Sequence, residues 1–357
     1  MKAFLILENE IVFTGESIGV GKEKICEIVF NTSMTGYLEV LTDPSYASQG
    51  VVMTYPLIGN YGTNLEDAES FKPWVEALIV RELASHPNNF RNEQSLEDYL
   101  KKYEVSGIQG VDTRAITKLI REKGTMLGMI TCDENYDLQE CVGRIRQFKA
   151  SDLVEKVSIM KKEKHGEGNE GYNVALLDFG YKKNIVRNLI KRGCSVTIYP
   201  SDTPAKEIIN AKPDGIMLSN GPGDPKDCIE IIENIKKLCN TDIPIFAICL
   251  GHQLMALASG ADTQKLKYGH RGGNHPVKDL EADRVYITSQ NHGYVVVKET
   301  LDPQKAEVSH INMNDGTVEG VRYLDKKVFS VQFHPEAAPG PGDTEWLFDK
   351  FIEMFKV

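Results

Sequence analysis

From Tyr172 onward the chain alternates two hydrophobic periods. Short apolar, branched runs fit buried strands, and each is followed by a segment whose apolar positions recur at helical spacing. Tyr172-Asn-Val-Ala-Leu-Leu-Asp-Phe-Gly180 reads as a strand closed by glycine, and Asn184 to Gly193 as a helix with glycine at its C-terminal stop. Ser195-Val-Thr-Ile-Tyr is a second strand and Pro204 to Asn210 a short helix. Gly215-Ile-Met-Leu-Ser is a third strand, ending in Asn220-Gly-Pro-Gly-Asp-Pro225, and Cys228 to Leu238 is helical again. A fourth, Ile243-Pro-Ile-Phe-Ala-Ile, stops at Cys249 and runs at once into a helical pattern. Repeated units of this kind imply a mostly parallel sheet covered on both faces. Its ligand sites fall at the carboxyl ends of the strands, so the Gly221-Pro-Gly223 turn and Cys249 are expected to be neighbours.

The first half is less regular. Met1-Lys-Ala-Phe-Leu-Ile-Leu-Glu-Asn-Glu turns acidic after a short apolar run and has no small-residue cleavage site, so it reads as a first strand, not a signal peptide. Stretches 27–36 and 51–55 look like strands, with a turn at Asp43-Pro-Ser-Tyr46 between them. Ser95 to Tyr103 and Thr113 to Lys123 look helical, with Asp112 as cap of the second. An α+β domain is the expectation. Between the halves, Met160-Lys-Lys-Glu-Lys-His-Gly-Glu-Gly-Asn-Glu-Gly171 is polar, charged and glycine-rich, as an interdomain linker would be. The division is then 1–160, a linker at 161–171, and 172–357.

With 357 residues there is room for two cores. The formal net charge of −10 argues against a general nucleic-acid surface. No run reaches the ~18 uninterrupted apolar residues of a membrane helix. Cys26, Cys132, Cys141, Cys194, Cys228, Cys239 and Cys249 are scattered and odd in number, which fits a reducing cytoplasm better than a disulfide framework.

The candidate chemistry centres on Cys249-Leu-Gly-His-Gln253. A strand-to-helix turn there makes a nucleophile elbow, and a helix N-terminus favours the thiolate. A cysteine after an apolar run is usually a buried structural residue. Here Gly251 permits close backbone approach, and a polar pair interrupts an apolar segment that packing alone would leave unbroken. Phe329-Ser-Val-Gln-Phe-His334-Pro-Glu336 supplies a second strand end with a histidine and a carboxylate. Cys249, His334 and Glu336 are the parts of a thiol acyl-transfer triad, with the Leu250 N–H as first oxyanion donor and Gly221 as second. There is no Walker-type phosphate loop and no dinucleotide fingerprint. His270 and His275 in Tyr268-Gly-His-Arg-Gly-Gly-Asn-His-Pro276 hint at metal, but no cysteine or carboxylate completes a set, and no metal site is expected.

At these residues residues 172–357 resemble a class I, triad-type glutamine amidotransferase domain, which implies a flavodoxin-like C-terminal sheet. The N-terminal half narrows the resemblance. Asn31-Thr-Ser-Met-Thr-Gly-Tyr-Leu-Glu-Val-Leu-Thr-Asp-Pro-Ser-Tyr46, Pro56-Leu-Ile-Gly-Asn-Tyr-Gly62 and Gly110-Val-Asp-Thr-Arg114 are similar to the carbamoyl phosphate synthetase small-chain family, as are Gly272-Gly-Asn-His-Pro276 and Ser289-Gln-Asn-His-Gly-Tyr294. The resemblance implies hydrolysis of L-glutamine through a Cys249 thioester, with contacts from Ser45, Gly221, Gly223, Leu250, Gln253, Asn291, Gly293 and Tyr294. Tyr294 stands where many members carry Phe. It also implies a large-chain partner, in a heterodimer or a tetramer of heterodimers. That partner would make carbamoyl phosphate from bicarbonate and two ATP for pyrimidines and arginine. No cofactor is implied in this chain; ATP, Mg and K belong to the large chain. Two other readings compete: a glutaminase subunit for anthranilate or GMP synthesis, and a non-catalytic interaction module.

Overall fold

The computed structural model describes residues 1–169 and 171–356 and divides the chain into two units, Met1–Ser151 and Asp152–Val357. In the first unit, strands β1 (Lys2–Leu7), β2 (Val12–Gly19) and β3 (Lys24–Asn31) are followed by helix α1 (Tyr37–Thr42) and strand β4 (Gln49–Met53). Then come β5 (Leu57–Ile58), β6 (Ala77–Ile79), β7 (Glu82–Leu83), helix α2 (Leu96–Lys102), β8 (Ser106–Gln109), helix α3 (Thr113–Lys123), β9 (Met126–Thr131) and helix α4 (Leu138–Gln147). Seven of the strands close a barrel in the order β1-β2-β8-β6-β4-β3-β9, while β5 and β7 form a separate small ribbon. The α+β expectation is thus realised as a closed barrel with helices around it, which leaves these seven strands without a free edge. Asp112 caps α3 as expected, its Oδ1 accepting the Ala115 N–H at 2.9 Å. The Asp43–Tyr46 turn is a 3-10 turn, Pro44–Tyr46, capped by Asp43; the helix α1 before it has no counterpart in the sequence reading.

The second unit begins with helix α5 (Leu153–Val157) and strand β10 (Glu163–His165). The segment read as a linker therefore carries a strand, paired antiparallel with residues Val196 to Ile198, and falls inside the second unit; Glu170 lies outside the described residues. Backbone pairing at a sheet edge needs no apolar side chains, so this polar stretch gave no strand signal. Strands β11 (Asn173–Asp178), β12 (Ser195–Pro200), β13 (Gly215–Leu218) and β14 (Ile245–Ile248) alternate with helices α6 (Lys183–Lys191), α7 (Ala205–Asn210), α8 (Ile229–Leu238) and α9 (Leu250–Ala258). The chain continues through β15 (Thr263–Asp279), β16 (Arg284–Val296), β17 (Ala306–Asn312), β18 (Val318–Tyr323), β19 (Val328–Val331) and helix α10 (Trp346–Glu353). The sheet order is β10-β12-β11-β13-β14-β19-β18-β17-β15-β16. Its centre, β12-β11-β13-β14-β19, is parallel, as the strand–helix pattern requires. From β19 outward the sheet continues antiparallel.

Both faces of the parallel centre are dry. Val174, Leu176, Met217, Phe246 and Ile248 pack on one side with Ile185 and Leu189 of α6 and Phe348 and Phe351 of α10. Ala175, Leu177, Ile216, Leu218 and Ala247 pack on the other with Ile208, Ile235 and Leu254. Burial on two faces is why these strands read as continuous apolar runs. Helix α9 lies close against β13 through Gly251, where a Cβ would come within 2.5 Å of the Leu218 carbonyl oxygen. A Gly251→Val substitution should therefore push α9 off the sheet, costing on the order of 1–3 kcal/mol. Thermal melting would register roughly 2–4 °C of Tm loss for each kcal/mol. An unchanged melting curve would show that the helix does not depend on this contact.

Candidate active site

The register of the parallel strands decides which side chains meet. Pairing of Ile248 with Val331 brings the ends of β14 and β19 side by side, and the Cys249 N–H donates to the Val331 carbonyl at 2.9 Å. Cys249 sits between strand and helix at φ 52° and ψ −105°, a region that residues with a Cβ rarely occupy. This is the elbow expected from the sequence. Beyond β19, the His334 N–H donates to the Ser289 carbonyl at 2.9 Å, fixing the turn that carries the imidazole.

His334 and Glu336 are buried and joined, Nδ1 to Oε1, at 2.7 Å. Burial alone would lower the histidine pKa; the Glu336 carboxylate, and then Cys249, outweigh it and raise it well above the ordinary range. Nε2 of His334 has no aligned hydrogen-bond partner among the described residues. The Cys249 thiol instead reaches the Asn291 carbonyl, with sulfur and oxygen 3.7 Å apart.

Lys182 was not read from the sequence and belongs to this group. Its ammonium is almost fully buried and meets Glu336 Oε1 at 3.0 Å, and it also donates to the Ala337 carbonyl. Burial would raise the Glu336 pKa, but Lys182 first and His334 second lower it to about 2. Asn184, in the first turn of α6, donates to the Glu336 carbonyl, so the turn after β11 and the start of α6 grip the triad turn at two points. The available signal was positional: Gly180-Tyr-Lys-Lys follows the carboxyl end of a buried strand, where this architecture gathers its ligands.

The other expected positions are distributed as follows. Leu250 opens α9, so its N–H is among those without a partner inside the helix. Gly221 packs on it: a Cβ there would lie 2.1 Å from the Phe179 carbonyl oxygen and 2.8 Å from the Leu250 side chain. Gly223, at φ +94°, is exposed two residues on. Gln253 is buried and donates to the Tyr294 carbonyl at 2.8 Å and to Gln332 Oε1 at 2.9 Å, tying α9 to the Asn291–Tyr294 segment of β16. Gly293 lies within that segment, where a Cβ would meet Arg271 at 3.4 Å. Ser45 lies in the first unit, buried in the Pro44–Tyr46 turn, with its N–H on Asp43 Oδ1 at 2.9 Å. The polar pair on α9 splits its work: His252 is fully buried and bonds Ser330 Oγ at 2.8 Å, a tie to β19 rather than a part of the triad. No carboxylate neighbours His270 in the sequence, but the fold brings Asp315 and Glu319 against it, from 45 and 49 residues away.

A buried thiol, an imidazole oriented by a carboxylate and a glycine turn beside a helix N-terminus make a site suited to acyl transfer. Comparison with known proteins agrees. Residues 175–354 match the family model for glutamine amidotransferase class-I, so the second unit is a class I amidotransferase domain. Residues 5–130 match the model for the carbamoyl-phosphate synthase small chain, CPSase domain. The carbamoyl phosphate synthase small chain of Clostridium perfringens is 55% identical over 353 residues, covering 99% of either chain. That of Bacillus caldolyticus is 51% identical over 357 residues, covering 100% of this chain and 97% of its own. The chain belongs to the carbamoyl phosphate synthase small-chain family.

The buried Lys182–Glu336 pair makes a pH-dependent prediction. Because the folded carboxyl titrates near 2, below its ordinary value of 4.5, Glu336 contributes stability above pH 4.5 that is lost as pH falls toward 2. Lys182→Met should leave the carboxylate held by His334 alone, cost up to about 3–5 kcal/mol, and move the acid loss to higher pH. Urea denaturation midpoints followed between neutral and acid pH test this. Parallel pH profiles for the two proteins would exclude Lys182 as the group that holds Glu336 ionised.

Proposed function

We propose that this chain is the glutamine-hydrolysing subunit of carbamoyl phosphate synthase, with Cys249 as nucleophile. The observation that carries the reading is the Cys249, His334 and Glu336 set at the ends of β14 and β19, in a chain similar over its whole length to small chains. In this reading the Cys249 thiolate attacks the side-chain amide carbon of L-glutamine. The N–H groups of Leu250 and Gly221 take the developing oxyanion. His334 protonates the departing ammonia, leaving a thioester on Cys249, then draws a proton from water so that hydroxide releases glutamate and restores the thiol. Glu336 keeps the imidazole turned to its task and supports its charge. Gly223, Gln253, Asn291, Gly293 and Tyr294 complete the proposed glutamine contacts, supported by the Gln253–Tyr294 and Cys249–Asn291 bonds. Ser45 enters that set by the family resemblance alone.

The ammonia passes, in this proposal, to a large synthetase chain that binds ATP, Mg and K and uses bicarbonate and two ATP. The product serves pyrimidine and arginine synthesis. The two chains form a heterodimer, or a tetramer of heterodimers, in the cytoplasm. Seven free thiols suit that compartment, and no helix among the described residues is long and apolar enough to cross a membrane. A subunit for anthranilate or GMP synthesis does not account for the small-chain match over residues 5–130.

Two experiments follow from this chemistry. In the complex reconstituted with the large chain, Cys249→Ser should abolish glutamine-dependent synthesis while synthesis from added ammonia persists. Retained glutamine turnover would remove Cys249 as the nucleophile.

The second concerns coupling. The thiol's aligned hydrogen bond goes to the Asn291 carbonyl and not to His334 Nε2, a geometry short of full engagement. Glutamine hydrolysis by the isolated chain should therefore be slow, and titrating in the large chain should raise it about 5–150-fold, the range of a 1–3 kcal/mol coupling. A rate indifferent to the large chain would count against the subunit reading.

A further inference from the structure

A second buried cluster spans β15, β16 and β18, and Asn291 lies on β16. His270 on β15, His292 on β16 and Glu319 on β18 are each less than a tenth exposed, and one ligand-capable atom from each lies within 4.8 Å of the others. Their outer hydrogen bonds set which nitrogens face inward. His270 Nε2 meets the Asp315 carboxylate at 2.8 Å, so that nitrogen carries a proton, and Nδ1 is turned to Glu319 Oε1 at 3.4 Å. His292 Nδ1 lies 2.8 Å from the Tyr294 carbonyl, a group that only accepts, so the proton sits there and Nε2 holds a lone pair. That lone pair faces another acceptor, Gln290 Oε1, at 3.1 Å, while the Gln290 amide nitrogen donates to Thr288 Oγ1 at 3.3 Å. Glu319 Oε1 accepts from Asn312 Nδ2 at 2.9 Å, but its buried Oε2 has no partner among the described residues.

Ligand-capable atoms of three side chains thus converge on one buried point, with Asn312 Nδ2 also 3.5 Å from His270 Nδ1. Each histidine is also oriented by an acceptor on its far nitrogen, a carboxylate for His270 and a backbone carbonyl for His292, which is how proteins hold metal-bound imidazoles. We propose that His270 Nδ1, His292 Nε2 and the Glu319 carboxylate form a binding site for a borderline divalent transition cation of the Zn²⁺ class, with Gln290 Oε1 as a further oxygen. Two imidazoles and one carboxylate suit such an ion, whereas Ca²⁺ and Mg²⁺ call for more oxygen ligands. Bonds of about 2.0–2.2 Å require the three side chains to draw together as the ion binds. The ion would clamp β15, β16 and β18 one residue from Asn291, whose carbonyl takes the catalytic thiol. It is a positioning site and takes no part in bond making.

The test uses the full-length chain carrying Cys249→Ser, which removes the catalytic thiol as a competing ligand. After chelator treatment it is titrated with Zn²⁺ and with Co²⁺. The expected result is one ion per chain, a raised Tm, and an X-ray absorption spectrum of the bound metal showing two imidazoles. Glu319→Gln, which keeps the shape and the oxygen that accepts from Asn312, should lose this binding. Asp315→Asn should weaken it about 10–100-fold, as for an outer partner of a ligand histidine. The absorption measurement needs neither ligand variant, so poor folding of one leaves the test intact. No bound ion, an ion without imidazole ligation, or equal binding by Glu319→Gln overturns the proposal. The cluster is then an ion-paired buttress, with His270 as an imidazolium between Asp315 and Glu319.

Discussion

Everything at the triad depends on holding Cys249 in a backbone conformation it would not choose. A non-glycine residue in this region costs of order 1–3 kcal/mol, and persists only where its surroundings fix it. Here the surroundings act on both sides of the bend. The Cys249 N–H is committed to β19 through Val331, and the Gly251 N–H donates to the Ser219 carbonyl at the end of β13 at 3.0 Å. Strand and helix are therefore anchored to different neighbours, and the bend between them is what remains. The same geometry puts the sulfur at a helix N-terminus on the carboxyl edge of the sheet, so the strain and the chemistry share one origin.

Buried charge is the second constraint, and it is resolved by order along one line. Lys182, Glu336 and His334 follow one another from the turn after β11 to the turn after β19. A lone carboxylate at Glu336 would be too costly to keep ionised, and a lone imidazole at His334 would give up its proton. Together each holds the other in the charged form. The cation at the far end keeps Glu336 an ionised acceptor for His334 Nδ1. Removing Lys182 is therefore a change in the electrostatics of the histidine, transmitted through the carboxylate between them.

The legibility of the sequence follows this physics. Strands dry on both faces were plain from their apolar runs; Cys249 directly follows one of them, and His334 and Glu336 lie in the turn after another. The α3 helix and its Asp112 cap were readable because both signals are local. What escaped was assembled across distance. β10 is polar and gains its place from backbone pairing alone, so it looked like a linker. Closure of the first-unit barrel depends on pairings such as β1 with β9, far apart in the chain, for which no local pattern exists. Lys182 is an ordinary lysine until burial and Glu336 single it out. Glu319 completes the cluster around His270 and His292 only because β18 folds back beside β17, next to β15.

The N-terminal motifs that narrowed the family behave differently from those of the triad. Asn31 donates to the Tyr46 hydroxyl at 2.8 Å, the Gly36 N–H donates to the Tyr61 hydroxyl at 2.6 Å, and Tyr37 donates to the Gly62 carbonyl at 2.5 Å. Tyr37 and Tyr61 stack with ring centres 4.3 Å apart. The stretches 31–46 and 56–62 are thus two halves of one interlocked loop structure beside the barrel. Gly110, at φ +82°, and Asp112 do the same local work at the start of α3. These residues identify the family because they specify loop shape, and a shape can be shared without any reactive group. The second unit announces its chemistry through reactive side chains at strand ends. The first unit's family motifs are seen in the structure as contacts that fix loop shape.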